Sequence, residues 1–370
     1  MNATFPLTLP EDLIIEILMR LPVRSVLRFK SVCKSWLSLI SDPEFTRSHF
    51  ALDATPTDRL LSVNHYQVDS TDIEASLDDN SAKVVFNFPL PPPDDEYGCR
   101  VDIGGSCRGF ILLITDGIFD FIIWNPSTGL RKGIFYVMDD GYGYDFDADR
   151  CGFGYDSSTD DYVIVNLVTI ITSERLCTEV HCFSLKTDSW SRILRTVHGL
   201  YYHRGHRHGV LLNGALHWLV APCTRDGYGV VIISFDVTEK RLSEIPLPHH
   251  LTIECDIYDL RVMGGCLCLC VNELGYGTAI WTMKEYKVQS SWTKLFVPNP
   301  MCHLRFPFVP PFYPLCLTKK DEFLGSDCAR FIKVNDKGEL LEHHASDHNM
   351  GSSILLRCGV YRESLLSLPE

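Results

Sequence analysis

Between residues 9 and 40 the apolar positions recur at three- and four-residue spacing. After residue 50 they gather instead in short runs broken by Gly, Pro, Asn and Asp. On a helical wheel of residues 12–21, Asp12, Glu16 and Arg20 fall within a wedge of roughly 80°, and Leu13, Ile14, Ile15, Ile17, Leu18, Met19 and Leu21 cover roughly 240°. Pro10 suits a first helical turn, Glu11 and Asp12 sit where the helix dipole favours anions, and Pro22 ends the segment. A second helical stretch runs from Val23 to Ile40, with Val26, Phe29, Val32, Cys33, Trp36, Leu37 and Ile40 on its apolar face. A surface helix needs an apolar stripe only somewhat over ~100° wide. A unit of about 40 residues is too small to bury this much apolar surface internally. The excess must meet either the rest of the chain or a partner.

The later runs predict strands. Phe110-Ile-Leu-Leu-Ile, Asp161-Tyr-Val-Ile-Val and Val230-Val-Ile-Ile-Ser-Phe are examples, and Phe88-Pro-Leu-Pro-Pro-Pro reads as an extended connector. Five segments share an apolar strand, a polar turn and a second short strand. Their anchors Trp124, Phe183, Phe235, Trp281 and Ile332 are separated by 59, 52, 46 and 51 residues. Propeller blades repeat at about 40–50 residues, each a small sheet that cannot bury its faces alone. The regular interval favours a ring over a sandwich of generic hairpins. Residues 51–88 and 354–368 hold no blade of their own, and a ring closes best when both chain ends complete one shared blade, because an open end leaves unpaired edges. Six blades are expected, with five or seven remaining open.

Composition narrows the function classes. The chain has 370 residues, 45% hydrophobic and 22% charged, which excludes wholesale disorder. Its net charge of −13 argues against nucleic acid or an anionic membrane as a partner. No run approaches the ~18–20 apolar residues of a membrane span. The first residues lack a basic region followed by an apolar core, so the fifteen cysteines are read as reduced thiols in a cytoplasmic or nuclear chain.

Catalytic signatures are missing: the phosphate-cradling loop, Gly-x-Ser-x-Gly and His-Glu-x-x-His do not occur. Asp145, Asp147 and Asp149 imitate the start of a calcium loop, but Arg150 stands where a Gly is required and Asp156 where a bidentate Glu is required, so a solvated acidic loop is expected. Cys266, Cys268 and Cys270 alternate along a strand and read as small buried side chains. His203, His206 and His208 could chelate a metal, yet Arg204 and Arg207 between them would repel a cation; the segment reads better as a solvated loop, with a basic target contact as the alternative. No metal or cofactor is expected. The acidic positions Asp139, Asp140, Asp145, Asp147 and Asp149 fall in predicted loops on one rim and are candidates for contact with a basic target, alongside His203, Arg204, His206 and Arg207.

The helical stretch resembles an F-box. The resemblance is carried by Leu9-Pro10-Glu11-Asp12-Leu13, Glu16-Ile17-Leu18, Arg20-Leu21-Pro22-Val23, Leu27-Arg28-Phe29-Lys30, Val32-Cys33-Lys34-Ser35-Trp36 and Leu39-Ile40. The remainder is similar to the kelch-like F-box-associated domain of plant F-box proteins, a class related to the S-locus F-box branch. It matches at Gly109-Phe110, Trp124-Asn125-Pro126, Leu216-His217-Trp218, Ser234-Phe235-Asp236 and Tyr361-Arg-Glu-Ser-Leu365. True kelch repeats carry paired glycines, which occur here only at Gly104-Gly105 and Gly264-Gly265. The resemblance implies a three-helix F-box over 1–50, a connector with first propeller strands over 51–100, and a kelch-like β-propeller over 101–370. It also implies a non-catalytic substrate receptor of a Skp–cullin–F-box ubiquitin ligase, or an F-box scaffold acting outside a cullin complex. Leu9, Pro10, Leu13, Ile17, Leu21, Val32, Cys33 and Trp36 match positions that the family uses for the Skp adaptor interface and its supporting core. A propeller enzyme with a helical cap is the remaining alternative, and the lack of a converging acid–base set argues against it.

Overall fold

The computed structural model describes residues 9–52, 54, 56–63, 67–87, 101–115, 120–136, 150–171, 176–195, 200–202, 208–222, 230–249, 251, 256–273, 277–298, 312–326, 330–345 and 358–368. Helix α1 spans Glu11–Met19, with Glu11 and Asp12 in its first turn as the dipole favours. The stretch read as one helix from Val23 is two, α2 (Val23–Phe29) and α3 (Lys34–Ser41). They break because Cys33 is extended, and its Sγ accepts the Trp36 N–H at 3.5 Å, capping α3. The structure adds a fourth helix to the expected three, α4 (Pro43–Leu52). Asp42 Oδ1 accepts the backbone N–H groups of Glu44 (2.8 Å) and Phe45 (3.1 Å), and Pro43 occupies the first helical position.

The strands form six sheets arranged as a closed ring. Blade one takes Asp58–Val63 (β1), Gln67–Asp72 (β2) and Lys83–Asn87 (β3). Blade two is Val101–Cys107 (β4), Phe110–Thr115 (β5), Phe121–Trp124 (β6) and Arg131–Ile134 (β7). Blade three is Cys151–Asp156 (β8), Asp161–Ile171 (β9), Leu176–Ser184 (β10) and Ser189–Arg195 (β11). Blade four comprises Leu200–Tyr202 (β12), Val210–Leu212 (β13), Ala215–Pro222 (β14), Val231–Asp236 (β15) and Arg241–Ile245 (β16). Blade five is Asp256–Met263 (β17), Cys266–Asn272 (β18), Gly277–Met283 (β19) and Trp292–Pro298 (β20). Blade six is Tyr313–Leu317 (β21), Phe323–Ser326 (β22), Arg330–Val334 (β23) and Leu340–Ala345 (β24). Cys358–Arg362 (β25) then pairs antiparallel with β1, in the register Arg59↔Tyr361, and supplies the inner strand of blade one. The two chain ends therefore close the ring together.

The anchors Trp124, Phe183, Phe235, Trp281 and Ile332 all lie on the third strand of their blade, counting from the ring axis. That shared position explains the regular interval. Each strand face packs against a different neighbouring blade. Between blades one and two lie Leu61, Val68, Ile103 and Trp124; between two and three, Phe110, Phe121, Phe153 and Phe183; between three and four, Val165, Cys182, Trp218 and Phe235. Between four and five lie Leu219, Leu260 and Trp292; between five and six, Cys268, Cys270 and Phe312; between six and one, Leu60, Leu315 and Cys358. Leu60 and Leu61 thus serve opposite interfaces, as the two-residue period of a strand demands. Cys268 and Cys270 are packing residues, and burial pushes the Cys268 thiol up to about 11. No helix among the described residues is long and apolar enough to cross a membrane.

Candidate functional site

The helical module divides its apolar residues between two faces. Leu18, Val23, Val26, Ile40 and Phe45 form a buried core, with Ile14, Ile15, Met19, Leu21, Leu27, Phe29, Trp36 and Leu39 packed around it. The His49 Nε2–H donates to the Leu21 carbonyl (2.9 Å), tying α4 to the end of α1. Trp36 stands edge-on to Phe29, with ring centroids 5.5 Å apart.

Among the described residues nothing covers the other face. Leu13 (45% exposed) and Ile17 (50%) on α1 continue the four-residue spacing from Leu9 (58%) just before it, while Val32 (58%) stands at the junction of α2 and α3 and Leu37 (48%) in α3. Pro10 and Cys33 are exposed beside them. Of the eight residues singled out from the sequence, Leu9, Pro10, Leu13, Ile17, Val32 and Cys33 are exposed, while Leu21 and Trp36 are half-buried against the module core. Leu37, four residues after Cys33, belongs to the exposed set and was legible from its helical spacing. Arg28 and Lys34 flank Val32 and Cys33 in solvent. An apolar strip of this size, edged by charge, is the chemistry of a docking surface.

The module sits on one end of the ring. Arg47 approaches Asp160 (3.9 Å), and the Arg108 guanidinium lies between the rings of Phe50 (5.0 Å) and Tyr155 (4.1 Å). Arg108 and Asp160 occupy the turns that join the first and second strands of blades two and three. Because strands alternate in direction, the opposite ends of those strands, where β4 and β8 begin, lie on the far face. Asp139, Asp140, Asp145, Asp147 and Asp149 lie outside the described residues, as do His203, Arg204, His206 and Arg207. In the chain the first group precedes β8, and the second falls between β12 and β13.

The inner strands enclose an axial cavity of about 190 Å³ lined by Ile103, Phe153, Leu260, Leu315 and the Asp259–Arg261 ion pair (2.5 Å). Among the described residues no three His, Cys, Asp or Glu side chains converge as a metal site. Burial pushes the Cys107, Cys316 and Cys358 thiols up to about 12, which keeps them protonated and unreactive.

Comparison with known proteins matches both halves of this architecture. Residues 6–48 match the F-box domain, and residues 59–339 match the F-box associated beta propeller domain. The F-box protein CPR1 of Arabidopsis thaliana is 31% identical over 82% of this chain and 76% of its own length. An F-box/kelch-repeat protein of the same plant is 28% identical over 78% of this chain and 79% of its own, and a further F-box protein is 30% identical over 90% and 82%. With a helical module and a six-bladed ring each matching in its own place, the chain belongs to the F-box proteins that carry an F-box associated beta propeller domain.

Proposed function

We propose that this protein is the substrate-recognition subunit of a Skp–cullin–F-box ubiquitin ligase. The observation that carries the reading is the exposed apolar strip of Leu9, Leu13, Ile17, Val32 and Leu37, on a module whose core residues Leu18, Val26, Ile40 and Phe45 are already packed internally. A Skp-type adaptor covers that strip and links the chain to a cullin scaffold. The propeller holds a target protein, and the chain contributes proximity rather than bond chemistry. Such an assembly works in the cytoplasm or nucleus.

The character of the target follows from charge. Residues 1–50 hold six basic and five acidic side chains, so the remainder carries −14 of the total −13. A basic target surface is the complement, with the acidic positions 139–149 as the steering patch and the basic positions 203–207 as a second contact. Affinity capture of the full chain with the proteasome inhibited tests the assignment. Recovery of both a Skp-type adaptor and a cullin is the expected result. Adaptor without cullin would favour an F-box scaffold acting outside the ligase, and recovery of neither would refute the reading.

A further inference from the structure

Residues 363–366 follow β25. They pass between the helical module and the ring, and the neighbouring side chains Leu365 and Leu366 enter different cores. Leu365 is 4% exposed and completes the module core with Leu18, Val26 and Ile40. Its neighbour Leu366 enters the core between blades two and three beside Phe110 and Phe153. One short segment therefore belongs to two hydrophobic cores at once.

The polar groups of the segment are held as firmly. Asn125 Nδ2 donates to the carbonyls of Ser364 (3.2 Å) and Leu366 (3.0 Å), and the Glu363 N–H donates to the Thr57 carbonyl (3.0 Å). The buried Glu363 carboxylate accepts from Arg24 Nε of α2 (2.7 Å) and lies 3.6 Å from Arg59 Nε of β1. One carboxylate thus sits between a guanidinium from each domain. Gly109 makes the passage possible: at φ +84° it occupies the left-handed region, and a Cβ there would lie 2.2 Å from the Ser364 Cβ.

We propose that residues 363–366 are a positioning strap that locks the F-box helices onto blades one and two, so that helices and ring open only together and keep one mutual orientation. The adaptor-docking strip then stands at a fixed distance from the far face of the ring. That consequence rests on the adaptor reading, whereas the strap itself does not.

Amide hydrogen exchange of the full chain, without adaptor, tests the strap. In the wild-type protein the amides of α2 and α4 are expected to exchange at the same opening free energy as those of β25. Leu365→Ala empties part of the module core, and Glu363→Gln leaves two guanidinium groups facing each other without their shared carboxylate. Each should open a gap, with helix protection falling roughly tenfold or more below that of β25. Arg24→Met added to Glu363→Gln should narrow the gap, because it removes the like-charge repulsion, a recovery that a purely steric role would not give. A full-sized gap already present in the wild-type chain would overturn the proposal. So would helix and β25 protection falling by the same factor, or not at all, in both single variants. Failure of adaptor capture by the wild-type chain would refute the ligase reading and leave the exchange result standing.

Discussion

Substituting Leu13 by Asp separates docking from folding. Leu13 is 45% exposed, so about half of its side-chain burial remains for a partner to complete. Full burial of a leucine contributes about 1.5–3 kcal/mol, which puts the lost contact near ~1 kcal/mol. The new carboxylate must then either be desolvated without a partner, at a cost of several kcal/mol, or take up a proton. Protonating a carboxyl of pKa about 3.9 at pH 7 costs about 4 kcal/mol, which caps the charge penalty. Together these effects amount to about 3–5 kcal/mol, a loss of at least ~100-fold in adaptor affinity. In the free chain the same change is nearly neutral. Position 13 is the third residue of α1, where a negative charge interacts favourably with the helix N-terminus by about 0.3–1 kcal/mol, offsetting the lower helix propensity of Asp. Titration calorimetry with a purified Skp-type adaptor, beside thermal melting of the free chain, reads both quantities. Adaptor affinity within threefold of wild type, with an unchanged melting profile, would refute the docking assignment of this face.

Three further outcomes are expected. Leu18→Ala, at a residue 1% exposed and only five positions further along, should destabilise the helical module by about 2–5 kcal/mol, seen as loss of helical ellipticity at lower denaturant concentration. Burial pushes the His217 imidazole down to about 4; its Nδ1–H donates to the Val210 carbonyl (3.1 Å), and Nε2 accepts from the Tyr286 hydroxyl (2.7 Å). The folded state therefore binds fewer protons than the unfolded state between pH 6.5 and 4. The stability this neutral ring contributes above pH 6.5 should be lost as pH falls through that window, by about 3 kcal/mol in all. His217→Gln should flatten the dependence of the denaturation midpoint on pH over that range, and an unchanged slope would contradict the assignment. Replacing Asp139, Asp140, Asp145, Asp147 and Asp149 by Asn should slow association with the target and leave adaptor binding alone. Capture indifferent both to these changes and to salt between roughly 0.05 and 0.3 M would move attention to His203, Arg204, His206 and Arg207.

What the sequence determined by itself was local and periodic. The helical spacing of Leu13 and Ile17, the limits of the first helix near Pro10 and Pro22, and the recurring hairpin around Trp124, Phe183, Phe235, Trp281 and Ile332 each depend on residues within one element or one blade, so each is written in the local pattern. The fourth helix was harder to read, because its apolar content is low and its start depends on the Asp42 side chain capping Glu44 and Phe45. Periodicity alone did not separate the apolar residues of the module that face solvent from those that fill its core. An apolar arc of roughly 240° on α1 is wider than any single contact needs. Leu18 is buried and Ile17 exposed because Phe45 and Leu365 arrive on one side of the helix, and among the described residues nothing arrives on the other. Leu365 is brought there by ring closure, when β25 pairs with β1, and the same event carries Glu363 to Arg24 across 339 positions of chain. Periodicity fixes which way a side chain points within its own element. What meets it there is decided by pairings between distant segments, and these exist only once the ring has closed.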